Sequence, residues 1–79
     1  MIHVKLREMM EAYRERNGVR LTYEEISKKT KISVATLQSL AARPEYNTRL
    51  STIEKLCRVL GCAPGDLLEM NERGETGGA

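Results

Sequence analysis

The sequence of 79 residues contains no Phe and no Trp, and only three Tyr and two Pro. With so few aromatic side chains, a hydrophobic core has to be built from Leu, Ile, Val, Met and Cys. Such a core suits short helices packed closely together. A chain of this length buries only about 60–65% of its unfolded surface, so we expect one small domain.

Cysteine is also scarce, and long apolar runs are absent. Cys57 and Cys62 are too few for a disulfide scaffold, and residues 1–13 mix charges into every turn instead of forming a secretory signal. No apolar run approaches the roughly 20 residues that a helix needs to span a bilayer. We therefore predict a cytoplasmic protein that is not inserted in a membrane.

The residues that could carry catalysis or bind a metal are few. The single His, His3, and the two Cys supply three soft ligands without paired spacing, so we predict no metal and no other cofactor. No Ser or Cys has an evident base partner, and no carboxylate pair falls in a predictable cleft. The prediction is a protein that is not an enzyme.

The net charge of +2 is unevenly distributed along the chain. Residues 14–49 contain eight Lys or Arg and four Glu, whereas residues 50–79 contain three bases and five acids. A basic middle segment is typical of a surface that faces a polyanion. Chance clustering on a solvated surface would give the same distribution, so charge alone leaves both interpretations open.

Helical periodicity and end signals predict five short helices. They are expected over residues 4–17, from 22 to 29 or 30, over 33–42, over 51–60 and over 64–69. No strand pair is predicted, although residues 1–4 could form a short extended arm. Residues 71–79 lack any apolar side chain except Ala79 and are expected to be disordered, which leaves residues 1–70 as the domain.

Local signals at the helix starts are strong. Thr22 and Glu25 have the spacing of a capping box, as do Ser51 and Glu54, and Ser33 can cap the third helix. Only about three residues separate the second and third helices, so the two must cross at a steep angle. The buried positions are expected to include the apolar stripes of the helices, among them Ile26, Leu37, Leu40, Ile53, Leu56, Cys57 and Leu60.

Two short helices joined by a tight turn form a helix-turn-helix unit, in which the second helix can enter the DNA major groove. Residues 6–68 resemble the Cro and phage-repressor type of helix-turn-helix domain, the Xre family. The resemblance lies in an LTxEEIS start, a KIS turn, an SxxTLxxL recognition helix and the ending STIEKLCRVLGCAPGDLLE. It implies an all-α, lambda-repressor-like domain of five short helices.

The resemblance also implies a division of roles on DNA. In the recognition helix, residues 33–42, the side chains directed to base edges would be Val34, Ala35, Gln38 and Ser39. Those directed to phosphates would be Thr22, Tyr23, Thr36, Arg43, Asn47, Thr48 and Arg49. Gln38 can hydrogen-bond an adenine edge twice, and the two apolar side chains can pack on thymine methyl groups, so we predict a preference for A·T-rich half-sites.

This chain departs from the family pattern in the turn, at the front of the recognition helix and after the last Leu of that helix, where Ala41 replaces a common Glu. Lys31 replaces the Gly that is common in the turn, which would cost about 1 kcal/mol if the backbone there is left-handed. Val34 and Ala35 stand at the front of the recognition helix, where polar base-reading side chains are common. Specificity could therefore be low, or this surface could serve a protein partner.

Two functions consequently remain open. The first is a sequence-specific DNA-binding regulator, most simply a repressor, that binds double-stranded DNA as a homodimer through either residues 64–70 or the arm around Ile2 and Val4. The second is an antitoxin-like or adaptor protein whose helix-turn-helix domain mainly binds a toxin-like protein partner. The apolar front of the recognition helix favours the second function, and the basic residues on both sides of it favour the first.

Overall fold

Five short helices and two short strands make up the part of the chain that the computed structural model describes, residues 1–43, 45 and 47–70. In chain order they are β1 (Ile2–Val4), α1 (Leu6–Asn17), α2 (Tyr23–Thr30), α3 (Val34–Ala42), α4 (Leu50–Leu60), α5 (Pro64–Leu67) and β2 (Leu68–Met70). The five predicted helices of a helix-turn-helix fold are confirmed. The prediction of a disordered tail over residues 71–79 lies outside the described residues.

The prediction that the chain forms no strand pair is wrong. β1 and β2 pair antiparallel, with Ile2 opposite Met70 and Val4 opposite Leu68. The first helix accordingly starts at Leu6 and the last ends at Leu67, each shorter than predicted. Strands of three residues are too short to show periodicity, and their pairing joins the two ends of the domain, so no local pattern reports it.

The local start signals of α2 and α3 act as predicted. The backbone N–H of Glu25 donates to Thr22 Oγ1 at 3.1 Å, and the N–H of Thr22 donates to Glu25 Oε1 at 3.0 Å. At α3, the N–H of Thr36 donates to Ser33 Oγ at 3.1 Å. Each helix is thus started by its own residues, because a side-chain cap satisfies N–H groups that have no partner within the helix.

The predicted capping box of Ser51 and Glu54 is wrong. α4 starts at Leu50 with Arg49 in the N-cap position, where no side chain makes a capping hydrogen bond. The N–H groups of Thr52 and Ile53 both donate to the Arg49 carbonyl, at 3.0 and 3.2 Å. Ser51 therefore lies inside the first turn and lacks the extended conformation of a capping residue. Glu54 instead accepts a hydrogen bond from Arg58 at 2.9 Å.

The core consists of aliphatic side chains that are contributed by every helix. α2 packs against α3 and α4, and α1 packs against α3, α4 and α5. The predicted core positions are all buried, and Leu6 and Leu67 join them at the two ends of the domain. Because α3 packs on α1 and α2 through one side only, its other side is left on the surface.

The turn between α2 and α3 depends on two residues with unusual environments. Lys31 has φ 66° and ψ 17°, so the left-handed conformation suspected from the sequence is present on a residue that carries a Cβ. Thr30 is a buried polar residue, and its Oγ1 donates to the Ile26 carbonyl at 2.7 Å and accepts from the N–H of Ile32 at 3.1 Å. The Thr30 hydroxyl therefore joins the end of α2 to the turn.

Arg16 also has a role that the sequence did not reveal. From the sequence alone, Arg14 and Arg16 of the predicted first helix could be no more than solvated surface residues. In the structure Arg16 Nη2 donates to the Leu60 carbonyl at 2.7 Å. This bond places a cation at the C-terminal end of α4, where the helix dipole favours positive charge, and it ties α1 to α4.

Candidate nucleic-acid interface

α3 has a buried side and a solvent-facing side. Leu37, Leu40 and Ala41 are buried in the core. The four residues predicted to read bases lie on the other side: Ala35 and Gln38 are exposed, and Val34 and Ser39 are half-buried. This division follows from helical periodicity, since positions 34, 35, 38 and 39 lie on one face. The structure brings these four residues together on one surface, and their contact with bases stays a prediction.

The N-terminal end of α3 is suited to a phosphate. Its first turn contains no acidic residue, so the partial positive charge of the exposed N–H groups is not neutralised. Ser33 Oγ donates to Thr36 Oγ1 at 2.9 Å while it accepts from the Thr36 N–H. The Thr36 hydroxyl thus serves as an acceptor toward Ser33, and its own proton can be donated to an oxygen outside the protein.

The start of α2 differs from that of α3 in its charge. Glu24 and Glu25 occupy the first turn, so they reduce the positive potential there. Thr22 is exposed, but its backbone N–H and its hydroxyl both take part in the capping box. Tyr23, the first residue of α2, is half-buried against the core. A phosphate contact at this site would therefore come from the hydroxyl groups of these two residues.

A concavity of about 490 Å³ lies beside Thr22 and Tyr23. Three arginines line it, Arg7 and Arg14 from α1 and Arg20 from the segment that follows it. Arg7 was not among the residues predicted to face DNA, and Arg20 was included only as part of the basic segment of residues 14–49. The seven-residue spacing of Arg7 and Arg14, two turns along one helix face, is the signal that could have paired them.

Acidic groups within the concavity limit its positive charge. Arg14 hydrogen-bonds Glu11, and this bond holds the pKa of the Glu11 carboxyl below its usual range, with a smaller contribution from Arg20. The same pair raises the pKa of Arg14. The net attraction of this concavity for an anion therefore depends on Arg7 and Arg20, and Glu24, which also lines it, reduces that attraction.

The loop between α3 and α4 brings further polar groups to the surface. Arg43, Asn47 and Arg49 are exposed and Thr48 is half-buried, so all four of the loop residues assigned to phosphates are accessible. Arg49 directly precedes α4, whose first turn has neither an acidic residue nor a side-chain cap. The positive end of α4 therefore adds to the charge of Arg49. Pro44 and Tyr46 of this loop lie outside the described residues.

One acidic residue of this loop is directed toward the N-terminal strand. Glu45 Oε2 lies 3.2 Å from His3 Nε2 of β1. This contact joins the strand pair to the loop that follows α3, and no sequence signal predicted it, since the two residues are far apart in the chain. It also turns one carboxylate toward β1.

The two cysteines lie together at the end of α4. The N–H of Cys62 donates to the Cys57 carbonyl at 3.1 Å, in the hydrogen-bond pattern that closes a helix ending on a left-handed Gly. Partial burial raises the pKa of the Cys62 thiol to about 11, and Cys57 adds to the effect. A cysteine acts as a nucleophile or as a metal ligand in its thiolate form. At neutral pH Cys62 is a thiol, so it lacks the form that either role requires.

Within residues 1–43, 45 and 47–70, no three His, Cys, Asp or Glu side chains come close enough together to hold a metal ion. In the same ranges, no helix has the length and apolar character that crossing a membrane requires.

Comparison with known proteins identifies the family. Residues 5–73 match the family model of the Cro/C1-type HTH DNA-binding domain. Over 58 residues the chain is 36% identical to the uncharacterized HTH-type transcriptional regulator YozG of Bacillus subtilis (strain 168). The aligned region covers 73% of this chain and 69% of that protein. No solved structure matches the chain. The helices, the left-handed turn and these matches agree, and the chain belongs to the Cro/C1-type helix-turn-helix family of DNA-binding domains.

Proposed function

We propose that this protein is a transcriptional regulator, acting as a repressor, that binds double-stranded DNA as a homodimer and inserts the helix of residues 33–42 into the major groove. The observation that carries the proposal is the two-sided character of α3. Leu37 and Leu40 are fully buried, whereas Ala35 and Gln38 on the opposite face are exposed. The major groove is about 12 Å wide and admits one such helix.

Affinity comes mainly from contacts with the DNA backbone. Arg43 and Arg49 follow the recognition helix. The positive ends of α3 and α4, whose first turns contain no acidic residue, lie next to Thr36 and Arg49. Thr22, Tyr23, Asn47 and Thr48 add hydroxyl and amide groups that can donate to phosphates. Contacts of this kind position the protein on the duplex without reading its sequence.

Sequence discrimination comes from the exposed face of α3. Gln38 can make two hydrogen bonds to an adenine edge, and Val34 and Ala35 can pack against thymine methyl groups. Ser39 can bond either type of base edge. We therefore expect selection from random DNA to return half-sites with A·T pairs opposite Gln38, and cores made only of G·C would contradict this assignment. A protein that occupies its operator in this way represses by excluding other proteins from the DNA.

A gel-shift titration at several salt concentrations tests the backbone contacts. The double variant Arg43→Ala/Arg49→Ala should weaken binding to selected and unrelated duplexes alike. It should also reduce the slope of log K against log salt by about 3.6, because the homodimer loses four phosphate contacts and each lost contact removes roughly 0.9 from the slope. Lys55→Ala removes a positive charge from an exposed position of α4 that is not assigned to DNA, and it should leave the slope unchanged. An unchanged affinity and slope in the first variant would refute the model.

A test of base reading uses Gln38→Ala. This variant should lose about 1–3 kcal/mol of discrimination at a single position of the half-site while its salt dependence stays that of the unaltered protein. If the preference relaxed evenly at all positions, Gln38 would not be a base-reading residue.

An antitoxin-like or adaptor role is a second candidate, and Val34 and Ala35 favour it. They place apolar side chains at the front of α3, where a protein partner could cover them. This alternative predicts that Ala35→Glu loses co-purification with the product of an adjacent gene, whereas Arg43→Ala/Arg49→Ala keeps it. Retention of the complex by Ala35→Glu would eliminate this role for α3.

A further inference from the structure

An apolar groove of about 490 Å³ runs along α4 on the surface, apart from the residues assigned to DNA. Its apolar lining consists of Leu50, Ile53, Cys57, Cys62, Pro64 and Leu68, from α4, α5 and β2. Leu50 at one end is 82% exposed. An aliphatic side chain so exposed beside an apolar groove, in a small domain, is typical of an interaction surface.

The groove continues onto the strand pair. Alternate residues of a strand share a face, and directly opposed residues share it too, so Leu68, Met70, Ile2 and Val4 lie on one face of the ladder. Val4 is buried in the core, whereas Ile2 is 53% and Met70 is 64% exposed. The apolar face of the strand pair therefore begins in the core at Val4, includes Leu68 of the groove, and ends at the exposed Ile2 and Met70.

Charges at the rim of the groove indicate its occupant. Glu54 and Arg58 both line it, at 62% and 78% side-chain exposure, and they lie one helical turn apart with opposite charge. A partner surface of a single charge sign would attract one of them and repel the other. A second α4 that runs antiparallel presents the complementary pattern, because its Arg58 faces Glu54 and its Glu54 faces Arg58.

The same antiparallel register also brings the exposed Leu50 of each copy to an apolar part of the other copy. If position 54 faces position 58 of the second copy, position 50 faces position 62. The exposed Leu50 of each copy then lies at the Cys62 end of the groove of the other copy, where the lining is apolar. The chain's own residues 71–79 are a poor alternative occupant, because Ala79 is their only apolar side chain.

We infer that the α4 groove is the homodimer interface, with two antiparallel α4 helices related by a two-fold axis and with each Leu50 inserted into the groove of the second copy. This inference rests on the proposed homodimer and specifies its surface. It assigns the dimer to α4, the start of α5 and the face of the strand pair, and leaves the exposed side of α3 available for DNA.

The first experiment measures the oligomeric state of the full chain without DNA, by sedimentation equilibrium over a range of concentrations. Leu50→Glu should be monomeric where the unaltered protein is a dimer, with at least about a tenfold increase in the dimer dissociation constant, because a buried carboxylate opposes association. Val19→Glu alters an apolar residue that is 60% exposed and does not line the groove, and it should stay dimeric. Circular dichroism checks that both variants are folded.

The second experiment uses charge reversal at the rim. Glu54→Arg and Arg58→Glu alone should each dimerise about tenfold more weakly, since like charges then face each other across the axis. An equimolar mixture should form heterodimers with nearly the affinity of the unaltered protein, because each copy then faces opposite charges. The internal pair of each variant is lost in the mixture as well, so recovery can come only from contacts between copies.

Three results would overturn this interface: an unaltered protein that stays monomeric up to its solubility limit, a Leu50→Glu variant that remains dimeric, or charge-reversed variants that do not recover on mixing. None of these measurements involves DNA. If the dimer behaves as inferred while Arg43→Ala/Arg49→Ala leaves DNA binding unchanged, the proposed function fails and the interface stands.

Discussion

Replacement of Lys31 by Gly should stabilise the protein. Lys31 has φ 66°, in the left-handed region, which costs a residue with a Cβ roughly 1–2 kcal/mol and costs Gly nothing. The greater freedom of Gly in the unfolded chain takes back about 0.5–1 kcal/mol. Lys31 is exposed, so little packing is lost. The net gain should be about 0.5–1 kcal/mol, which for a domain of this size corresponds to an increase in Tm of about 2–8 °C.

The assay is thermal unfolding followed by circular dichroism, with two matched controls. Lys29→Gly places Gly in the last turn of α2 and should lower the stability by about 0.5–1 kcal/mol, because Gly is unfavourable within a helix. Lys31→Ala removes the same charge but keeps a Cβ, so its Tm should change little. The reasoning is refuted if Lys31→Gly fails to raise the Tm, or if Lys31→Ala raises it equally.

Three further predictions concern residues whose roles emerged in the structure. Thr30→Val should lower the free energy of unfolding, measured in urea, by about 1–3 kcal/mol, because it leaves the buried N–H of Ile32 without its hydrogen-bond partner. Arg16→Ala should cost about 1 kcal/mol through the lost bond to the Leu60 carbonyl. Cys62, with its pKa raised to about 11, should react with iodoacetamide at pH 8 more slowly than a free thiol. The stabilisation that depends on the protonated Cys62 thiol should be complete below about pH 9 and should decline toward pH 11. The reason is that the thiol of the unfolded chain ionises at a lower pH than the thiol of the folded protein.

Each of these predictions has a control. Thr30→Ser keeps the hydroxyl and should be less destabilising than Thr30→Val. Arg14→Ala removes an exposed pair within one helix and should have a smaller effect than Arg16→Ala. The Cys62 prediction is tested in a Cys57→Ala background, so that one thiol reacts. Equal effects within either pair of variants, or Cys62 alkylation at the rate of a free thiol, would contradict the corresponding assignment.

The distribution of charge around α3 bears on how the protein would balance affinity against specificity. The exposed face of α3 has two polar residues, Gln38 and Ser39, beside the apolar Val34 and Ala35. They are outnumbered by the basic side chains and helix ends that can contact phosphates. We therefore expect strong salt dependence and a modest ratio of specific to non-specific binding. A dimer that engages two half-sites raises that ratio, because both reading helices contribute.

Local chemistry in the sequence determined where several helices begin and end. Thr22 with Glu25 and Ser33 with Thr36 cap their helices as predicted, because a cap joins residues only three positions apart. The buried residues of α3 could also be predicted from the sequence, because helical periodicity alone assigns Leu37 and Leu40 to one face. The turn motif likewise pointed to the left-handed backbone at position 31.

Contacts between distant parts of the chain were decided only by the tertiary structure. The pairing of Ile2–Val4 with Leu68–Met70 and the bond from Arg16 to the Leu60 carbonyl each join segments far apart in sequence. Periodicity and capping report on neighbours within about one turn of a helix, whereas these features depend on which surfaces meet after the helices have packed.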